Sequence, residues 1–315
     1  MPKPCGIVYN YNNFNTSPHF FISKSVFVSL SEMKLKIDAM MPNSELSEIC
    51  KICNPHEYVF SNTEPATPSI GKMNPPSNLY YELYEIFNTF GLFKQSIKTV
   101  LYIDNEMDNT ADLLFNSLFN SSVDIIPILI NDTINHEMLY KCVDVIICNI
   151  GVQLSNALHI ILMSLNKDGN IIIKLSNIYH KTNIAILYLL SIMFEKTILI
   201  KPSVINVMSC DIFILGISYL NNHPEYAGID ISFISVPTLF LCKIEEFNTV
   251  NGHKQLDAFE QVINLFYNKN KIVKLDLIKK TNIIKSITWC DKQKVPYNKI
   301  GYTKTNIFLN PQHVE

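Results

Sequence analysis

This sequence predicts an open α/β sandwich, a mostly parallel sheet with helices on both faces and an antiparallel strand near one edge. Three observations carry that reading. Several short runs, among them TVLYID, VDVIICN and GNIIIKL, are apolar along their whole length, as strands buried on both faces are. Segments with helical spacing alternate with them from residue 99 onward, the pattern of βαβ units. The last two runs, TILIKP and CDIFILGISYL, are joined too briefly for a helical crossover and should pair as an antiparallel hairpin.

The elements follow in order. Residues 1–60 form an N-terminal extension with short apolar runs such as HFFISKSVFVSL and no sustained period. Residues 61–76, SNTEPATPSIGKMNPP, carry Pro65, Pro68, Pro75 and Pro76 without periodicity and read as a linker. The main domain spans 77–220. It opens with a helix in which Leu79, Leu83, Ile86, Phe87 and Phe90 share one face, Ser77 is the N-cap and Gly91 ends the pattern. TVLYID from Thr99 is a strand, NTADLLFNSLF a helix, DIIPILIND a strand, Val143–Asn149 a strand, and QLSNALHIILMSLN a helix. Gly169–Leu175 is the next strand and TNIAILYLLSIMF the next helix, before the closing hairpin. Residues 221–315 form a C-terminal extension packed on the domain, with the run ISFISVPTLFLCKI, an amphipathic helix around LDAFEQVINLFY, and a lysine-dotted tail.

Composition bounds the function. At 315 residues, 48% of them apolar and 17% charged, the chain can bury a full core. A net charge of −2 removes any global signature of a nucleic-acid binder, so a basic surface has to be local. No apolar run reaches a membrane span and MPKPCGIVYNYNNF lacks the layout of a signal peptide, so a soluble, cytoplasmic protein with no membrane partner is expected. Of eight cysteines, Cys142, Cys148, Cys210 and Cys242 lie in apolar strand-like runs and are expected to be reduced core thiols.

The turn within TVLYIDNEMDNTADLLF contains no glycine, although a turn that seats a nucleotide normally needs one for close approach and positive φ. Asp104, Glu106 and Asp108 stand there instead. Their alternation suits a hard cation, but the glycine and distal Glu of a calcium loop are missing, which favours a solvated acidic loop. Asp132 ends the second strand, as a ribose ligand or as a turn residue. In CKICNPH, the spacing of Cys50, Cys53 and His56 fits three zinc ligands with Cys5 as the fourth; the alternative is an ordinary helical turn, since a second tight pair is missing. Tyr80, Tyr81 and Tyr84 either stack on bases or fill the core. Lysines in FYNKNKIVKLDLIKKTNIIKS offer a face for RNA phosphates or a solvated surface.

A helix before the first strand, parallel strands and a closing hairpin resemble the S-adenosylmethionine-dependent methyltransferase fold, a Rossmann-like architecture. Over residues 77–220 the resemblance is to the FtsJ-like ribose 2′-O-methyltransferases. It rests on SNLYYELYEIF before the first strand, DVIICNIG at the fourth, DGNIIIKLSN at the fifth and MSCDIFILGISY at the last. That family works through a Lys-Asp-Lys-Glu constellation in which one lysine helps deprotonate the ribose hydroxyl. Position by position, the resemblance places Glu82 for the first Lys, Asn149 for the Asp, Lys174 for the central Lys and Asp211 for the Glu. Only Lys174 is kept outright. The family's glycine-rich cofactor loop is replaced by Asp104 to Asn109, which makes Asp104, Glu106 and Asp132 a degenerate cofactor site.

The resemblance therefore implies a degenerate methyltransferase domain without a bound cofactor, a non-catalytic partner in RNA modification. SIGKMNPPSNLYYEL is similar to the early region of the small, inert stimulatory subunits of poxvirus-type mRNA capping enzymes, whose partner is a larger methyltransferase or capping subunit. Two alternatives stand beside it. One is an active ribose 2′-O-methyltransferase that binds S-adenosylmethionine and uses another lysine; the other is a structural RNA-binding protein.

Overall fold

The computed structural model describes residues 8–9, 22–40, 44–60, 69–92, 97–106, 108–119, 122–129, 142–149, 158, 163–220, 234–268 and 271–298. Among these, six strands make one sheet: β1 (Thr99–Asp104), β2 (Asp124–Leu129), β3 (Val143–Asn149), β4 (Leu165–Leu175), β5 (Phe194–Ile200) and β6 (Ile212–Tyr219). Their order is β2-β1-β3-β4-β6-β5. The first four are mutually parallel, and β6 runs antiparallel to both β4 and β5. The expected mixed sheet is present, with the reversed strand one place in from the edge. β4 begins four residues before the expected Gly169.

Apolar residues on both parities explain why the strands sit inside. Leu101, Ile103, Ile146, Cys148, Ile171 and Ile173 face α5 (Lys181–Met193), which is buried along nearly its whole length. Val100, Tyr102, Val145, Ile147 and Ile172 face the opposite layer, α3 (Leu79–Phe90) and α4 (Thr110–Leu118). Tyr80 and Tyr81 belong to this core, which removes them as base-stacking platforms. Gly91 ends α3 in the left-handed conformation, φ 64°, with its N–H on the Phe87 carbonyl. The N-cap is Asn78 rather than Ser77, and its amide donates to Glu82 Oε1 (3.3 Å) and the Val204 carbonyl (3.1 Å).

The two extensions join. α1 (Lys24–Met40) and α2 (Ser44–Cys53) share a core with α6 (Thr238–Tyr267) and α7 (Lys271–Gln293), built on Leu30, Ile37, Leu46, Ile49, Val262 and Leu265. Val8–Tyr9 pairs antiparallel with Ile234–Ser235. The lysine-dotted tail is helical over Lys271–Gln293, residues 299–315 lying outside the described residues, and the run TLFLCKI opens α6 instead of forming a strand. Cys242 is accordingly exposed on a helix and Cys142 is exposed before β3, whereas Cys148 is a core thiol as expected. Within the expected linker, the described residues hydrogen-bond the chain around them: Ile70 N–H to Tyr58 (2.7 Å), Gly71 N–H to Val59 (3.0 Å), Lys72 N–H to Pro296 (3.0 Å). The helix expected in QLSNALHIILMSLN falls outside the described residues except at 158 and 163–166, where its last two residues, Leu165 and Asn166, open β4 instead. No helix among the described residues is long and apolar enough to cross a membrane.

Candidate functional site

The carboxyl ends of the strands carry a row of side chains fixed by register. Asp104 of β1 lies opposite Asn149 of β3, Asn149 opposite Lys174 of β4, and Lys174 opposite Phe213 of β6. They share parity with the residues that face α3 and α4, so the row points under α3. Strand order reverses between β1 and β3, the switch point at which open α/β sheets take ligands.

Two closed clusters occupy the row. At the switch point, Asp104 is buried and both its oxygens are taken. Oδ2 accepts from the Tyr102 hydroxyl (2.7 Å) and the Asn149 amide (2.9 Å), and Oδ1 accepts from the Asn105 N–H (2.6 Å). Asp108 accepts from the N–H and hydroxyl of Thr110 at 2.9 and 2.8 Å, tying down the first turn of α4. Burial, then the Asp104 carboxylate, push the Tyr102 phenol far up, so it stays a donor. Glu106 is exposed, and Asp132 and Cys5 lie outside the described residues. Three protein donors thus engage the Asp104 carboxylate at the switch point, and side chains stand in a loop where glycine would leave room for close approach.

The second cluster centres on Lys174. Its ammonium donates to Glu82 Oε2 at 2.7 Å, lies 3.9 Å from Asp211 Oδ2, and sits 5.6 Å from the Phe213 ring centroid. Glu82 is almost wholly enclosed; burial pushes its carboxyl up, against the opposing pull of Lys174 and Asn78. Glu82, Lys174 and Asp211, three positions matched through the resemblance, lie together here, whereas the fourth, Asn149, donates its amide to Asp104.

Sequence reasoning missed Lys201. It follows β5 directly, and its ammonium donates to the carbonyls of Ser209 (2.5 Å) and Val207 (3.4 Å), beside Cys210 and Asp211. Burial pulls it down to about 8. The only signal was a lysine ending an apolar run before proline, which is common at strand ends. Among the described residues no group of three or more His, Cys, Asp or Glu is arranged to hold a metal, Cys50, Cys53 and His56 included; Cys5, the fourth ligand of that reading, lies outside them. Burial, then the Cys50 thiol, push Cys53 up to about 12, and burial lowers His56.

The sheet order and the row at its carboxyl ends define a Rossmann-like α/β protein with a methyltransferase-like layout. No protein-family model matches the chain, and no curated protein matches its sequence. Among solved structures it is similar to the Haemonchus contortus Phospholethanolamine N-methyltransferase 2 in complex with phosphomonomethylethanolamine and S-adenosylhomocysteine, at 15% identity and a TM-score of 0.33. That match covers 44% of this chain and 38% of the other. The plantazolicin methyltransferase BpumL, in complex with a triazolic desmethylPZN analog and SAH, is similar at 12% identity and TM-score 0.25, over 85% and 93% of the two chains. MppP soaked with the product 2-ketoarginine gives 10% identity and 0.23, over 81% and 74%. At these scores, activity has to be argued from the chain's own residues.

Proposed function

We propose that this chain is a catalytically inactive, methyltransferase-like subunit that binds an RNA or mRNA-cap methyltransferase, or a capping enzyme, and stimulates or stabilises it. The Lys174–Glu82 ion pair carries the reading. A lysine that removes a proton from a hydroxyl must offer a free lone pair. Here the ammonium is bound to a buried carboxylate where the resemblance calls for a second lysine. The hydrogen-bonded Asp104 cluster adds a second loss, at the place where S-adenosylmethionine would sit. Calorimetric titration of the full chain with S-adenosylmethionine tests this: no heat is expected, and micromolar binding overturns it. Copurification from the native source should bring a larger chain whose methyltransferase activity rises when this one is added.

Lys201 favours a second reading, an active ribose 2′-O-methyltransferase. It is a depressed lysine beside Asp211, and with Lys174 and Glu82 it gives the row two lysines and two carboxylates. Binding of S-adenosylmethionine together with methyl transfer that is lost in Lys201→Met would establish that reading in place of the first.

A further inference from the structure

α6 ends at Tyr267 and α7 begins at Lys271, and between the two helices runs a groove of about 480 Å³. Its α6 wall uses Asp257, Glu260, Gln261, Asn264 and Leu265, positions that recur every three or four residues and so form one continuous helix face. The stretch from Asp257 to Asn268 extends about 16 Å at the helical rise. The α7 wall adds Lys274, Leu277 and Ile278. Leu277 in the lining is 65% exposed, and further exposed apolar side chains lie at the facing ends of the two helices: Tyr267 70%, Ile272 73% and Val273 76%. They cluster on one helix junction, whereas exposed apolar residues scattered singly need no explanation.

The charges select the occupant. Asp257 and Glu260 are exposed and, among the described residues, neither forms an ion pair. With Lys274 as the single cation of the lining against Asp257 and Glu260, the groove itself is net acidic, which disfavours RNA phosphates and anionic lipid headgroups there. The two carboxylates suit a cation presented beside an apolar group. A second copy packing this face of α7 antiparallel on itself would set Lys274 against Lys285, which share the face of Leu277 and Ile278.

We infer that the α6–α7 groove docks a short helix of a partner protein, one that inserts an aliphatic or aromatic side chain over Leu265 and Ile278 and presents Lys or Arg one turn away to Asp257 and Glu260. The groove's length suits about three turns of such a helix. The inference rests on the reading of this chain as a partner subunit, because that reading makes the occupant a protein.

The probe is a displayed library of helix-forming peptides of roughly 12 residues, selected on the full-length chain. The enriched peptide is then measured by fluorescence anisotropy. An apolar residue with Lys or Arg three or four positions away is expected to dominate. Affinity should fall at least about tenfold in Leu277→Asp and in Glu260→Lys, while circular dichroism shows both variants folded. A peptide with Asp or Glu in place of Glu260's expected partner should bind Glu260→Lys better than the wild type. Enrichment of acidic peptides, no enrichment, or binding that both variants retain overturns the inference. So does RNA binding, or self-association, that Leu277→Asp abolishes. The readout involves no methyltransferase: S-adenosylmethionine binding would sink the subunit reading while leaving the peptide result standing, and failed selection would leave the Lys174 site as it is.

Discussion

Lys174 Nζ donates to Glu82 Oε2 at 2.7 Å, which fastens the end of a central strand to a helix 92 residues earlier in the chain. The pair combines one almost fully buried partner, Glu82, with one whose side chain keeps 18% of its exposure. Removing one charge leaves the other without its counter-ion inside the protein, while removing both leaves neither. Glu82→Met and Lys174→Met are each expected to destabilise by about 1–3 kcal/mol at pH 7, discounted from the fully buried case for the exposed side of Lys174. The double variant Glu82→Met with Lys174→Met should lie closer to wild type than the sum of the singles. Urea denaturation of the four proteins measures the coupling. Additive losses would show that the contact is not coupled.

Asn149 governs a second expectation. Its amide donates to Asp104 Oδ2 at 2.9 Å, so Asn149→Asp replaces a donor with a second carboxylate at hydrogen-bond distance. Two carboxylates that close cannot both stay ionised without cost. A loss of about 2–4 kcal/mol at pH 7 follows. In the folded variant the pair holds a proton more tightly than the unfolded chain does, so the loss shrinks as pH falls toward the carboxylate range. Thermal melts of variant and wild type at neutral and mildly acidic pH test this. A variant as stable as wild type at pH 7 would mean that Asp104 does not depend on the Asn149 amide.

Both contacts show what the sequence could reveal. Strands such as Val143–Asn149 were legible because burial on both faces gives an unbroken apolar run, Val145 to Cys148, and Gly91 because a helix end needs positive φ. The gathering of Glu82, Lys174 and Asp211 was legible through motif positions on neighbouring elements. The partner of Asn149 was not, because register across strands decides it and a single strand holds no record of its neighbour. α1 was missed since only Leu30 and Ile37 of its 17 residues are buried, too few to set a period. α6 was missed at its start because FLC looks like a strand until Pro237 fixes the chain ahead of the first turn.

Lys201 sets a pH dependence. Its folded-state value, about 8, lies below the ordinary 10.5, because burial disfavours the ammonium. Between pH 8 and 10.5 the unfolded chain binds a proton that the folded chain has released, so stability rises with pH through that window. Below pH 8 both states are protonated and the full cost of the buried charge is present. Lys201→Met removes that cost, up to about 3 kcal/mol by linkage, and forfeits the bonds to the Ser209 and Val207 carbonyls. The variant's advantage over wild type should therefore be greatest near pH 7 and fade by pH 10. Denaturation midpoints at the two pH values decide it, and a constant difference would place the titration elsewhere.

Glu85 anchors α7 to the methyltransferase-like layer. Its carboxylate accepts from the Ser203 N–H at 2.9 and 3.0 Å, from the Ser203 hydroxyl at 2.8 Å and from the Trp289 indole N–H at 3.0 Å. Trp289 is buried and is the chain's single tryptophan. Glu85→Ala strands that indole N–H in the core, which costs about 1–3 kcal/mol, whereas Trp289→Phe removes the donor along with its need for an acceptor. If the bond holds the helix, Glu85→Ala should change the tryptophan emission and make amide exchange in α7 faster, with little effect on exchange in β3 and β4. Loss of protection shared equally by the sheet would show that α7 and the sheet open as one unit and that Glu85 joins nothing separable.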